Sequence, residues 1–176
     1  MLKQLTSLLT PRLVFSGLAL VSLSSLLIAR LYMEDVLGLT PCPLCMTQRV
    51  FIGAAGLIAL IAAITHPGTV GRRIYAGFCT VFCITGGAVA ARHTWLQHLP
   101  PEQVPACGPT LEYMLETLPF SETLSIVLMG DGNCAEVVWT LLGFSIPEQT
   151  LALFTVMTGV SLWQLLRRWP PGNNAD

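Results

Sequence analysis

Cysteines offer the most chemistry in this chain, and four of the six sit where a thiol can do more than fill space. Cys42-Pro43-Leu44-Cys45 is a CxxC pair, a spacing used for disulfide exchange, for zinc and for haem attachment. No histidine follows Cys45, which argues against covalent haem. Cys107 is set among Pro100, Pro101, Pro105 and Pro109, which rule out regular helix, and Cys134 follows the turn-forming run Gly130-Asp131-Gly132-Asn133. Only a thiolate attacks a disulfide, and a helix N-terminus stabilises it through unpaired N–H groups and a positive dipole end. A CxxC that opens a helix is therefore primed for exchange. Pro43 in the first turn costs such a helix little, because its missing N–H would have had no partner. Arg49 follows Cys45 by four positions, one helical turn along the same face. Its guanidinium is either an interfacial charge that snorkels to water or a cation within reach of an acceptor beside Cys45.

The elements that position these residues follow from composition. The chain has 176 residues, 53% hydrophobic and 11% charged, against roughly a quarter charged in an average soluble domain. Its net charge of −1 provides no basic face for nucleic acid. Four apolar stretches, Leu13–Ala29, Val50–Ile64, Ile74–Ala91 and Ile146–Leu166, approach the length of about 20 residues that spans a bilayer. The second holds only fifteen and must begin inside Cys42–Arg49, which puts the CxxC at the membrane boundary. The first leaves through Leu27-Ile28-Ala29-Arg30 with no small-residue cleavage site, so a retained helix is expected rather than a signal peptide.

Charge sorting sets the orientation. Lys3 and Arg12 precede the first stretch, Arg72 and Arg73 separate the second and third, and Arg167 and Arg168 follow the fourth. The other side carries Glu34, Asp35, Glu102, Glu112, Glu116, Glu122, Asp131 and Glu136, with Arg30 and Arg92 as exceptions. Both termini are expected in the cytoplasm and all four cysteines outside it. The fold expected is an all-α integral membrane four-helix bundle, one transmembrane domain over 1–176. Its helices fall near 13–31, 44–64, 74–92 and 146–166, with outer loops near 32–43 and 93–145. Leu111, Met114, Leu115 and Leu118, then Leu124, Val127 and Leu128, repeat at helical spacing in the second loop. Short segments lying in the interface or on the bundle end are expected there. Cys79 and Cys83, four apart within the third stretch, are expected to pack as small hydrophobes. Zinc on Cys42, Cys45, Cys107 and Cys134 is a further possibility. The 27-position gap from Cys107 to Cys134 and an outer compartment that favours disulfides argue against it, and no metal is expected.

Pro41-Cys42-x-Leu44-Cys45-x-x-x-Arg49, then Cys107, then Gly132-Asn133-Cys134-Ala135-Glu136 before Trp139 and Leu142-Gly143-Phe144, resembles the disulfide bond formation protein B (DsbB) family. The likeness runs through nearly the whole chain, including His93-Thr94-Trp95-Leu96-Gln97 at the end of the third stretch. It implies a protein dithiol:quinone oxidoreductase of the bacterial inner membrane, multi-pass, with its cysteine pairs in the periplasm. In such a relay Cys107 and Cys134 exchange with the periplasmic thioredoxin-like oxidase DsbA, and Cys107 forms the mixed disulfide. Electrons then reach Cys42 and Cys45, and Cys45 faces the quinone of the membrane pool, ubiquinone or menaquinone. Arg49 and His93 are the implied quinone-side residues. A DsbA-type site lies at about −120 mV and ordinary structural disulfides below about −300 mV. The intermediate pair must therefore be strained, charge-stabilised or coupled to the quinone.

Three other readings stand beside this one. Vitamin K epoxide reductase relatives share a four-helix bundle and a CxxC, but here the CxxC opens the second helix rather than lying near the last. A paralogue with a dedicated thiol partner would keep the same cysteines. A membrane scaffold with two structural disulfides leaves the helix-terminal CxxC and Arg49 without a purpose.

Overall fold

A computed structural model describes residues 10–108 and 111–167, with the side chains of Leu111, Glu112 and Leu115 left out. Lys3, Pro109 and Arg168 lie outside the described residues. Helix α1 runs Pro11–Leu27 and continues as a π-helix over Ile28–Val36, α2 is Pro43–Thr65 and α3 is Thr69–Gln97. The outer connection holds three short helices, α4 (Leu111–Thr117), α5 (Phe120–Met129) and α6 (Gly132–Ala135), and the strands β1 (Thr140–Leu141) and β2 (Phe144–Ser145). The last helix, α7, is Ile146–Leu166. Four helices, counting α1 with its extension, are long and apolar enough to cross a membrane. Their outward faces carry Leu20, Leu57, Val81 and Val156, all exposed, as suits a protein whose solvent is lipid rather than water.

The bundle is held by close backbone approach more than by large side chains. Its core gathers Ala55, Ala59, Ala62, Ala76 and Ala90 with Cys79 and Cys83, beneath Phe15, Ile52, Phe154 and Met157. Helix α3 packs most extensively on α7, α1 on α2 and α2 on α3, while α1 barely meets α7. Small residues permit this where lipid tails supply no hydrophobic drive between helices. At Gly86 a Cβ would overlap the Phe154 ring and fall 2.9 Å from Phe51 Cβ, so only glycine admits α7 there. Cys79 donates to the Ala55 carbonyl at 3.6 Å, which ties α3 to α2 and places this thiol in packing.

The helices depart from the expected bounds at two places. The first was expected to end near 31, yet the chain stays helical to Val36 as a π-helix. Arg30 and Glu34, four apart, pair within that segment, with Asp35 also near Arg30, so charges that resemble a loop neutralise one another on a helix. The third helix was expected over 74–92 but spans Thr69–Gln97, which moves His93 inside it. Arg92, an exception to the charge sorting, donates to the Met129 carbonyl at 3.1 Å and lies 4.3 Å over the Trp95 ring.

Within the outer connection, Thr123 of α5 donates to the Met114 carbonyl of α4 at 3.2 Å. Phe120, Leu124, Leu128 and Met129 of α5 remain exposed, an apolar face on the connection. The β1–β2 hairpin turns through Leu142 (φ 54°) and Gly143 (φ 86°) and leads into α7, where Glu148 accepts from the Ser145 N–H at 2.7 Å. Gly86→Leu is expected to destabilise the bundle by about 1–3 kcal/mol, the usual cost of overpacking, and Phe154→Ala in the same chain to recover part of it. Thermal unfolding of the detergent-solubilised protein measures both.

Candidate functional site

The outer ends of α1, α2, α3 and α7 share one face of the bundle, and the cysteines other than Cys79 and Cys83 gather toward it. Cys42 is the N-cap of α2 and Pro43 its first residue. The backbone of Cys42 is extended (φ −75°, ψ 165°), and its sulfur accepts from the Cys45 N–H at 3.4 Å. Capping by a thiol thus brings the two sulfurs to 3.3 Å. Helical periodicity carries Cys45, Gln48, Arg49 and Ile52 onto adjoining faces, where all four line a cavity of about 300 Å³.

His93 approaches from α3. Its Nε2 lies 3.7 Å from Cys42 Sγ and its Nδ1 4.0 Å from Cys45 Sγ. Gln48, also buried, meets the same Nδ1 at 3.1 Å. Both ring nitrogens are engaged, so the imidazole is oriented from two sides.

Cys134 arrives from the outer connection and is fully buried against Leu44, Val89 and Leu96, with Cys42 beside it. Asp131 places it by accepting from the Cys134 N–H at 3.2 Å. Its side chain packs in the same cluster as Leu44, against which Cys42 also rests. The neighbouring Cys42 sulfur, followed by burial, pushes the Cys134 thiol well above the ordinary range. Cys107 is exposed yet docked on the same segment. The Gly132 N–H donates to the Ala106 carbonyl at 3.3 Å, and a Cβ at Gly132 would fall 2.9 Å from Cys107 Sγ. The geometry therefore brings Cys42, Cys45, His93 and Cys134 together and leaves Cys107 at the surface.

Arg49 faces the cavity but is not a lone cation. It pairs with Glu34 of the π-helical extension, and its Nη2 donates to the Ala29 carbonyl at 3.5 Å. Glu34 and Gln48 were missed as site residues. Glu34 registered only as an acidic residue in a loop, whereas Gln48 offered a usable signal: an amide one turn inside a membrane helix, next to the CxxC, needs a polar partner.

Residues 11–164 match the family described as "Disulfide bond formation protein DsbB". The chain belongs to the disulfide bond formation protein B family. It is 48% identical over 159 residues to disulfide bond formation protein B of Saccharophagus degradans, covering 90% of this chain and 93% of the relative. With disulfide bond formation protein B of Stutzerimonas stutzeri it shares 55% identity over 146 residues, 82% of this chain and 90% of the relative. Disulfide bond formation protein B 1 of Pseudomonas aeruginosa is 46% identical over 159 residues, 90% of this chain and 97% of the relative. As a DsbB family member the chain is a multi-pass inner-membrane disulfide oxidoreductase that supports disulfide bond formation by reoxidising DsbA.

Burial separates the two outer thiols of this DsbB family member in a way that alkylation can read. In the reduced protein Cys107 is expected to react first and Cys134 at least about tenfold more slowly, with the Cys134 rate still rising above the ordinary thiol range of about 8.5. Removing the neighbouring sulfur with Cys42→Ala is expected to move that rise to lower pH. Maleimide labelling with mass spectrometry across a pH series measures it.

Proposed function

We propose that the protein is a dithiol:quinone oxidoreductase in which electrons enter from DsbA at Cys107, cross through Cys134 to Cys42 and leave from Cys45. The observation that carries this reading is the contrast between an exposed Cys107 and a fully buried Cys134 packed beside Cys42. One cysteine meets the partner and the other meets the membrane pair.

Thiol–disulfide exchange then runs in balanced steps, taking 107–134 and 42–45 as the resting disulfides. A DsbA thiolate attacks Cys107 Sγ, the 107–134 bond breaks and Cys134 leaves as thiolate. Cys134 attacks the adjacent Cys42 Sγ, the 42–45 bond breaks and Cys45 leaves as thiolate beside the cavity. The second DsbA thiol resolves the mixed disulfide and frees Cys107, which attacks Cys134 and releases Cys42. The net result is one disulfide in DsbA, a restored 107–134 bond and a reduced Cys42–Cys45 pair. Cys45 sits in the first turn of α2, and His93, whose Nε2 lies 3.7 Å from Cys42 Sγ, is placed to take or return the Cys42 proton there.

The cavity of about 300 Å³ suits a ring with few polar atoms. Leu26, Met33, Leu39 and Ile52 give it apolar walls, while Cys45, Gln48 and Arg49 offer polar groups from α2. A quinone held there supplies an acceptor for two electrons and two protons. Arg49 would contact its ring oxygens and Cys45 would face it, with ubiquinone and menaquinone both within this chemistry. For orientation we propose both termini in the cytoplasm and the four cysteines in the periplasm, supported by the arginine sorting and by the shared end on which the site is built.

Two experiments test the reading. Cys134→Ser is expected to trap a DsbA mixed disulfide at Cys107, and Cys107→Ser to abolish electron entry; normal entry through a Cys107→Ser protein would overturn the order of transfer. Arg49→Ala is expected to lower quinone efficiency about ten- to a hundred-fold, the loss of one charge-assisted hydrogen bond worth roughly 1.5–3 kcal/mol. Exchange at Cys107 should stay intact, and Arg49→Lys should recover only part of the loss because a point charge lacks the planar fork. Steady-state quinone reduction beside stopped-flow exchange with reduced DsbA separates the two effects.

A further inference from the structure

Cys42, Cys45 and His93 do more than line an exchange path: their sulfur and ring-nitrogen atoms all lie within 4.8 Å of one another. We propose that, once both cysteine pairs are reduced, Cys42, Cys45, His93 and Cys134 form a binding site for one zinc-class divalent cation.

Tetrahedral zinc with bonds of about 2.3 Å to sulfur and about 2.0–2.1 Å to nitrogen has edges of about 3.8 Å between sulfurs and about 3.5 Å between sulfur and nitrogen. The Cys42 and Cys45 sulfurs stand 3.3 Å apart and Cys42 Sγ stands 3.7 Å from His93 Nε2. Those separations need shifts of a few tenths of an ångström, within the reach of side-chain torsions. A fourth corner falls to Cys134, which is buried beside Cys42 but stands outside the three ligand atoms that lie within 4.8 Å of one another, so its side chain must turn inward to bind.

The surroundings suit a metal as well as the ligands do. A histidine that binds through Nε2 needs an acceptor for its Nδ1–H, and such second partners hold the ring and its tautomer. Gln48 sits 3.1 Å from Nδ1, and turning its amide presents Oε1 there, since the two amide atoms occupy equivalent positions. The Cys45 N–H at the Cys42 sulfur, 3.4 Å away, places a backbone donor on one of the thiolates. The four-cysteine zinc site weighed from the sequence fails on placement, because Cys107 is exposed on Gly132, and His93 takes its corner.

Redox state gates the site. In a disulfide each sulfur is spent on its partner and is no longer an anionic ligand, so the oxidised protein has no site. Reduction by two dithiols frees all four sulfurs; binding then displaces one proton from each coordinating thiol still protonated. A cation held by Cys45 would stop electron delivery from that sulfur, a consequence that rests on the proposed relay, whereas binding itself does not.

The experiment uses the full-length protein in detergent micelles, stripped of quinone, reduced and kept anaerobic, with Co²⁺ as spectroscopic probe and Zn²⁺ as competitor. One Co²⁺ per chain with a thiolate-to-cobalt charge-transfer band, displaced by Zn²⁺ and absent from the oxidised protein, is the expected result. Gln48→Ala should weaken binding about ten- to a hundred-fold, as loss of an outer-shell partner does, and His93→Ala and Cys45→Ser by more. Cys107→Ser should bind as the unaltered chain does. Helicity and elution volume check the fold, and Cys45→Ser keeps the test decisive if His93→Ala disturbs packing. The absence of a charge-transfer band overturns the proposal, as does binding abolished by Cys107→Ser but indifferent to His93→Ala. No quinone or partner is present, so a failure here leaves the relay standing, and a failed relay leaves this titration interpretable.

Discussion

The start of α2 is fixed by two covalent facts, the ring of Pro43 and the short side chain of Cys42, and the positions of Cys45, Gln48 and Arg49 follow from that start. Pro43 fits only the first turn, where no carbonyl waits for its absent N–H. Cys42, held outside the helix with extended backbone, turns its sulfur back to the Cys45 N–H at 3.4 Å. The thiol therefore acts as the cap that serine or aspartate supplies elsewhere, and the cap sets the sulfur–sulfur approach. Were α2 to slip in register by one residue, Cys45, Gln48, Arg49 and Ile52 would each rotate by about 100° and leave the cavity they line.

Charge at this depth has to be compensated, and the π-helical segment Ile28–Val36 does it. A guanidinium at the bilayer centre costs about 2.5–3.5 kcal/mol on insertion scales, and Arg49 is only partly exposed. The wider turn of a π-helix alters which residue meets the neighbouring helix. Here Glu34 comes between Arg30 and Arg49 and pairs with both. An arginine so anchored keeps its planar head at the cavity it lines rather than snorkelling away, as the proposed contact with a quinone oxygen requires.

The fold class was legible because apolar length, arginine sorting and a CxxC at a helix boundary all give the same topology. The limits of legibility were specific. The Glu34–Arg49 pair was hidden because fifteen positions separate its members and because an acidic residue after an apolar run looks like a loop. Gln48 was hidden because hydrogen bonding to His93 depends on how α2 and α3 cross, which composition does not encode. Cys134 was the subtlest. Its family motif assigns it to an outer pair with Cys107, yet its contacts are with Leu44, Leu96 and Cys42. No spacing rule distinguishes a loop cysteine that faces water from one that caps the bundle; packing of the whole connection decides it. The β1–β2 hairpin escaped for the same reason, since each strand has two residues, too few for any periodicity.

Accessibility does work here that reactivity alone would not. A reducible pair near a membrane acceptor is exposed to every soluble thiol unless entry is restricted. Cys107 lies in the open on a proline-rich segment, whereas Cys134 is held inside by Asp131, by Gly132 against Cys107, and by apolar contact with Leu96. In the proposed relay an attacking thiol large enough to need surface docking reaches the exposed Cys107 and not the buried Cys134, and what it delivers passes inward through Cys134, packed beside Cys42. In the reduced protein the Cys42 sulfur, followed by burial, also raises the Cys134 thiol above its ordinary range, so a stray soluble reagent finds Cys134 both covered and protonated. In the proposed relay exchange inward is thereby tied to exchange at the surface, and burial, rather than any added group, makes the tie.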